Sequence, residues 1–408
     1  MVTLTTFEIS VMFLALFLLL LSSFVFGKLF EYIKAPKVVG EIVGGMVVGG
    51  SVFALLLPNL FSNIFYAFEE EGKILNIFYQ LGLVFLMFSS GVNTTIKVTK
   101  ENVKKYFLLF IGVTIIPILL GIPFVKFFEN SFIGDANSSS AFMIVFLIST
   151  AITSIPVISK IFFDIGMMNT KFSNMVLTVS TIQDLCLWVM LNLSINIVET
   201  GKFNLVVLIE TVFITIGLLV VAKILEWYLT KKNIKINKNI LSISFIILFL
   251  LIYLLTKLNI NIMYSAFISG YILKAILPKN CKEIEEIKNI GFSLFVPIYF
   301  ALVGLQLDVI HNFSFSRFIL FFFIVFSLEF IGTVVLMWFT KLKRKTVMSL
   351  GITMNARGGP GIVLATTAFS YNIINIEFFT VLILTTMLSS AIAGYWLRIV
   401  KEDIQDDA

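Results

Sequence analysis

Asp184 stands deep in an apolar run, in Ser180-Thr181-Ile182-Gln183-Asp184-Leu185, with no other charge between Lys171 and Glu199. An ionisable group at the middle of a bilayer costs at least about 2.5–3.5 kcal/mol, so such a residue is a functional candidate by default. Upstream, a second helix-length apolar segment is interrupted by Ser149-Thr150-Ala151-Ile152-Thr153-Ser154-Ile155-Pro156. A proline beside small hydroxyl residues frees backbone carbonyls, which lipid cannot satisfy but a bound cation can. Thr153, Ser154 and those carbonyls offer the hard oxygen ligands an alkali ion takes. The expected cation- and proton-binding set is Asp184, Gln183, Thr153 and Ser154, with Asp184, Thr153 and Ser154 as direct ligands. The plain alternative is a structural carboxylate hydrogen-bonded to a facing helix.

A second interruption mirrors the first. Asn355-Ala356-Arg357-Gly358-Gly359-Pro360-Gly361 places three glycines and a proline inside another apolar span. Broken spans at corresponding positions of two halves point to inverted repeats, with a binding site where the breaks cross. Each break also exposes half-helix ends whose partial charges can stabilise ions. Arg357 is expected to neutralise half-helix carbonyls or a nearby carboxylate, while Pro156, Gly358, Gly359 and Pro360 shape the breaks; a mere packing kink is the alternative. Of the other intramembrane acids, Glu41 reads as structural, and Glu210 and Glu329 as structural or peripheral. Lys160, Asp164, Lys223, Glu226 and Asp308 lie nearer span ends.

These residues need a membrane-spanning frame. The chain has 408 residues, 59% hydrophobic and only 13% charged, a composition that excludes a soluble domain. Apolar runs of bilayer-crossing length recur throughout. Thirteen spans are expected, roughly 7–26, 37–56, 74–91, 106–125, 140–162, 173–195, 204–225, 240–256, 260–277, 290–307, 318–339, 347–369 and 377–397. The first has no basic flank and no Ala-x-Ala site, so it reads as a retained helix and not a signal peptide. Of the 30 Lys and Arg, only Lys73, Lys126, Lys202, Lys257 and Arg317 fall in loops on one side, and only Arg357 lies deep within a span, the others inside the span bounds being near their ends. That asymmetry predicts an outside N-terminus and a cytoplasmic C-terminus. It also explains the net charge of +6 without nucleic acid. Cys186 and Cys281 make no disulfide framework. The single histidine, His311, excludes a histidine-based metal site. A transporter is expected, not an enzyme, with no cofactor beyond the transported Na+ or K+ and H+.

At these motifs the chain resembles the monovalent cation:proton antiporters, in particular the second family with its Nap- and Kef-type sodium/hydrogen exchangers. The matching stretches are Pro36-Lys37-Val38-Val39-Gly40-Glu41, Leu83 through Gly91, Thr153-Ser154-Ile155-Pro156-Val157, Gln183-Asp184, Phe295-Val296-Pro297 with Val303-Gly304-Leu305, and Asn355-Ala356-Arg357-Gly358. The resemblance implies an all-α polytopic fold of thirteen helices with two crossed discontinuous helices. It implies a core domain over roughly 74–195 and 290–369, and a dimerisation domain over 7–56, 204–277 and 377–397 in a homodimer. It makes Asp184 the obligatory carboxylate.

Electrogenic relatives carry two adjacent acids where Gln183-Asp184 stands, and a lysine in the helix matching 290–307, which has none here. Some carry a glutamate where Gly359 stands. One carboxylate and no lysine suggest electroneutral exchange. Kef-type members add a cytosolic nucleotide-binding domain; the short tail after the last span carries no such regulatory domain. The expected activity is exchange of a monovalent cation for protons across a prokaryotic cell membrane by alternating access, with Asp184 holding each in turn. The rivals are a Na+-coupled solute symporter, which would want a larger polar pocket, and a K+ efflux channel-like protein, which would want a continuous hydrated path.

Overall fold

A computed structural model describes residues 4–33, 35–93, 103–168, 170–203, 205–232, 240–258, 260–276, 282–307, 309–310 and 313–404. His311, Cys281 and Asp308 lie outside the described residues. Within them the chain is all helix, with a single isolated bridge between Ile133 and Ile374. Helices are what a bilayer demands, because each satisfies its own backbone groups where water cannot. Among the described residues, nine helices or near-continuous helical segments are long and apolar enough to cross a membrane. Leu205–Lys232 is a further long helix, Leu241–Lys257 and Ile262–Ile276 are shorter apolar ones, and the span expected over 347–369 is divided.

The chain forms two compact units, Met1–Asn93 with Ile214–His311, and Thr94–Phe213 with Asn312–Ala408. Their membership differs from the division the resemblance implied. Helices Glu71–Asn93 and Val296–Gln306 belong to the first unit, and Ile376–Ile404 to the second.

In the first unit, helix Thr6–Tyr32 opens on a capping box in which Glu8 N–H donates to Thr5 Oγ1 at 3.3 Å and Thr5 N–H donates to the Glu8 carboxylate at 2.6 Å. Helix Lys37–Val48 packs against it and against Val296–Gln306. Small residues allow that approach: a Cβ on Gly45 would run into the backbone of Ala301, and one on Gly304 into that of Ile42. Glu41 is buried here, paired one turn back along its own helix with Lys37 at 3.2 Å.

The second unit carries both interruptions. Helix Ser139–Thr150 stops, four residues run unwound, and Ile155–Asp164 resumes. Helix Arg344–Met354 likewise stops before Asn355-Ala356-Arg357, and Gly358–Ser370 resumes. Helix Lys171–Thr200 packs against all four half-helices, while Phe315–Met337 and Ile376–Ile404 brace Arg344–Met354. Apolar packing fixes this arrangement on one side, where Phe162, Phe172, Val176, Leu350, Met354, Ala393 and Leu397 share a buried cluster. At the other end an aromatic cluster ties the unit, with Phe132 and Phe378 stacked at 4.5 Å between ring centres.

Candidate functional site

The two breaks meet through main chain. Ser154 N–H donates to the Ala356 carbonyl at 2.6 Å. Pro156 and Pro360 sit in the first turns of the resuming half-helices, where a missing N–H costs nothing. Ser154 caps its own half-helix, its Oγ accepting Val157 N–H at 3.3 Å. The other half-helix has no such residue in sequence, and its first N–H, on Gly358, is met by Ser390 Oγ at 3.1 Å from helix Ile376–Ile404. Gly358 has φ +40, and a Cβ there would collide with the Ser154 and Val157 side chains. Only glycine passes between the breaks. Gly359 and Pro360 follow it, both buried.

The carbonyls at the half-helix ends are also accounted for. Thr153 Oγ1 lies 2.7 Å from the Met354 carbonyl and 3.2 Å from Glu329 Oε1. Arg357 Nε donates to the Ser149 carbonyl at 3.3 Å, and its Nη2 to Glu329 Oε2 at 3.0 Å and the Val325 carbonyl at 3.3 Å. Arg357 and Glu329 are both fully buried, so this is an ion pair inside the unit. Asn355 Nδ2 donates to the carbonyls of Gly351 and Phe326.

Helix Lys171–Thr200 brings the remaining candidates. Gln183 Nε2 donates to the Ala151 carbonyl inside the first break and to the Val113 carbonyl at 3.0 Å. Val113 lies in a π-helical turn, Ile111–Ile115, just before Pro117. Proline has no N–H to return to the carbonyl four residues back, and that carbonyl is the one Gln183 takes. One turn before Asp184, the Ser180 hydroxyl points to Met354 Sδ at 3.9 Å, at the end of the other broken helix. Residues four apart share a helix face, so Asp184 stands on the side of the helix from which Ser180 and Gln183 reach the two broken helices. Asp184 is 1% exposed, and neither of its carboxylate oxygens has a hydrogen-bond partner among the described residues. Thr153 and Ser154 are engaged with the second break and the first half-helix, not with Asp184.

The charges decide what this arrangement does. Arg357 and Glu329 cancel each other, leaving Asp184 as a carboxylate without a counter-charge among the residues bonded around the breaks. Burial strongly disfavours an unpaired charge. Such a carboxylate demands a proton or a cation.

The sequence of the chain matches the family model for the transmembrane sodium/hydrogen exchanger over residues 15–402. The chain belongs to the sodium/hydrogen exchanger family. Among its relatives in this transporter family is the Na(+)/H(+) antiporter NhaS4 of Synechocystis sp., 26% identical over 384 residues, with 90% of this chain and 92% of the relative covered. The K(+)/H(+) antiporter 1 of Saccharomyces cerevisiae is 25% identical over 403 residues, covering 93% of this chain and 45% of its own length. The Cation/H(+) antiporter 15 of Arabidopsis thaliana is 22% identical, covering 88% and 44%. This exchanger-family chain thus spans about half the length of the plant and yeast relatives. In fold it is similar to the sodium proton antiporter MjNhaP1 of Methanocaldococcus jannaschii, with a TM-score of 0.67 at 14% identity over 97% of this chain and 99% of that one. This is an integral membrane protein of antiporter fold.

Two residues around the site escaped the sequence reading, and a third, Glu329, was named there without its partners. Glu329, expected to be structural or peripheral, is fully buried and bonded to both breaks. Its place in an uncharged apolar span was the signal that could have raised it to the rank of Asp184. Ser390 acts through a contact with Gly358, on another helix, and carried no local mark, while Pro117 acts by freeing the Val113 carbonyl that Gln183 takes. Glu210, by contrast, is exposed.

Proposed function

We propose that this chain is a secondary antiporter that exchanges a monovalent cation, Na+ or K+, for protons by alternating access, with Asp184 holding proton and cation in turn. The observation that carries this reading is the fully buried Asp184 with both oxygens unpartnered, set against two interrupted helices. Protonated or cation-loaded, the carboxylate is neutral and can be carried through a low-dielectric barrier; bare, it cannot. The names of the relatives, Na+/H+ and K+/H+ antiporters, agree with this chemistry. With Arg357 already matched by Glu329, one carboxylate exchanges one proton for one monovalent cation, which makes the exchange electroneutral.

Gln183 holds the first break in register through its amide N–H, and its Oε1 has no partner among the described residues. Thr153 and Ser154 supply hydroxyl oxygens from the breaks. The unit holding both breaks acts as the ion-binding domain and the other as scaffold in a homodimer. Thirteen crossings, with the N-terminus outside and the C-terminus cytoplasmic in a prokaryotic cell membrane, complete the picture.

Liposomes loaded with a pH-sensitive dye and challenged with Na+, K+ or Li+ test it. Cation-dependent proton flux in the wild type and its loss in Asp184→Asn are expected, and the ion giving flux names the cargo. Flux that survives the substitution contradicts the reading, as does its absence with every alkali ion in folded wild-type protein.

A further inference from the structure

We infer that Glu329 is a positioning residue for cation exchange whose fixed charge cancels Arg357, so that among the described residues Asp184 keeps the unmatched charge facing the breaks; this rests on the antiport reading above. Glu329 stands on Phe315–Met337, outside both broken helices, yet its carboxylate reaches each of them. One oxygen faces Thr153 in the first break at 3.2 Å, the other takes Arg357 Nη2 at the second at 3.0 Å. The same helix offers the Val325 and Phe326 carbonyls to Arg357 and Asn355. Arg357 Nη2 is therefore held by this one helix and Nε by the Ser149 carbonyl, while Nη1 has no hydrogen-bond partner among the described residues.

A guanidinium left bare in this cluster would itself supply the counter-charge that Asp184 otherwise takes from the transported ion. In a buried setting opposite charges attract strongly, because little water screens them. An internal cation of that kind cannot leave, so it competes with Na+ or K+ in every turnover. Glu329 removes the competitor. The role depends on the charge of Glu329 and not on its titration, and it predicts opposite outcomes for the two halves of the pair.

The experiment uses the full chain in liposomes, with dye-reported flux over a range of cation concentrations. Glu329→Gln should raise the apparent KM for the cation by at least about tenfold, because Arg357 now neutralises Asp184. Arg357→Gln should lower the apparent KM, since two carboxylates then attract the cation, and should slow turnover. The double variant Glu329→Gln/Arg357→Gln should return the KM toward the wild-type value, and Glu329→Asp should retain most transport. A pair that only braces the fold would move both single variants in the same direction with no recovery in the double. That result would overturn the inference, and so would an unchanged KM in Glu329→Gln. If Glu329→Gln does not fold, the double variant decides: folded and transporting supports charge cancellation, and misfolded overturns it. Absence of flux in the wild type, or its persistence in Asp184→Asn, would instead defeat the antiport reading itself.

Discussion

Ser154 and Ala356, about two hundred positions apart in the chain, are joined by a backbone hydrogen bond of 2.6 Å. Each lies in the unwound part of a different broken helix. Backbone groups set free by one break are thus satisfied by the other, so neither break is stable alone. The candidate site inherits this coupling, because Thr153, Arg357 and Gln183 are bonded to residues of the two breaks.

Gly358 is where the coupling is tightest. Alanine there meets both a positive φ and the side chains of Ser154 and Val157. Gly166 also has positive φ, but nothing lies within 4 Å of a Cβ. Gly166→Ala should cost only backbone strain, about 1–2 kcal/mol, and leave transport intact. Gly358→Ala should lower the melting temperature in detergent further and abolish flux. Equal melting temperatures for the two variants would contradict the close approach.

Ser390 caps a helix to which it does not belong. Ser390→Ala leaves the Gly358 N–H unmet and should cost about 0.5–2 kcal/mol, with reduced turnover. Ser390→Thr keeps the oxygen and should stay near wild type. Thermal melts and flux on the same preparations check both.

Gln183 donates to two carbonyls, so its amide cannot be replaced by a carboxylate at the same size. Gln183→Glu loses those donors and adds a second buried acid, and Gln183→Leu leaves the Ala151 and Val113 carbonyls bare at about 1–3 kcal/mol each. Both should be less stable than wild type by thermal melt. Gln183→Glu that melts as wild type would show that the amide is not the link.

On the proposed function, protons and cations contend for one carboxylate. Lowering the pH fills Asp184 with protons, so the apparent KM for the cation should rise as pH falls, approaching about tenfold per pH unit once the protonated form dominates. The maximal rate at saturating cation should change far less. Initial flux rates over a grid of pH and cation concentration give the answer, and a KM independent of pH would exclude competition at one site.

The sequence showed where the helices break but not how the breaks are held. Thr153-Ser154-Ile155-Pro156 and the run from Asn355 to Gly361 are local departures from apolar helix, and Asp184 is a charge where hydropathy allows none, so each can be found by inspection. Several helices outrun the apolar runs that announced them, since hydropathy marks the hydrocarbon while hydrogen bonding continues beyond it. Lys171–Thr200, for instance, runs from its Thr170 cap to Gly201 at φ +69, past both ends of the apolar run. Partnerships were not legible. Thr153 turns to Met354 and Glu329, Gln183 to a carbonyl freed by Pro117, and Gly358 to Ser390. These pairs are set by packing between distant segments, and no spacing within one helix encodes them.

The most direct measurement is proton release on cation binding. Purified protein in weak buffer would be titrated with Na+ or K+ while pH is recorded, for the wild type and Asp184→Asn, with bound cation determined on the same samples. The account predicts about one proton displaced per cation bound at a pH where the site is protonated, and neither binding nor release in Asp184→Asn. Cation binding without proton release in the wild type, or undiminished release in Asp184→Asn, would contradict it.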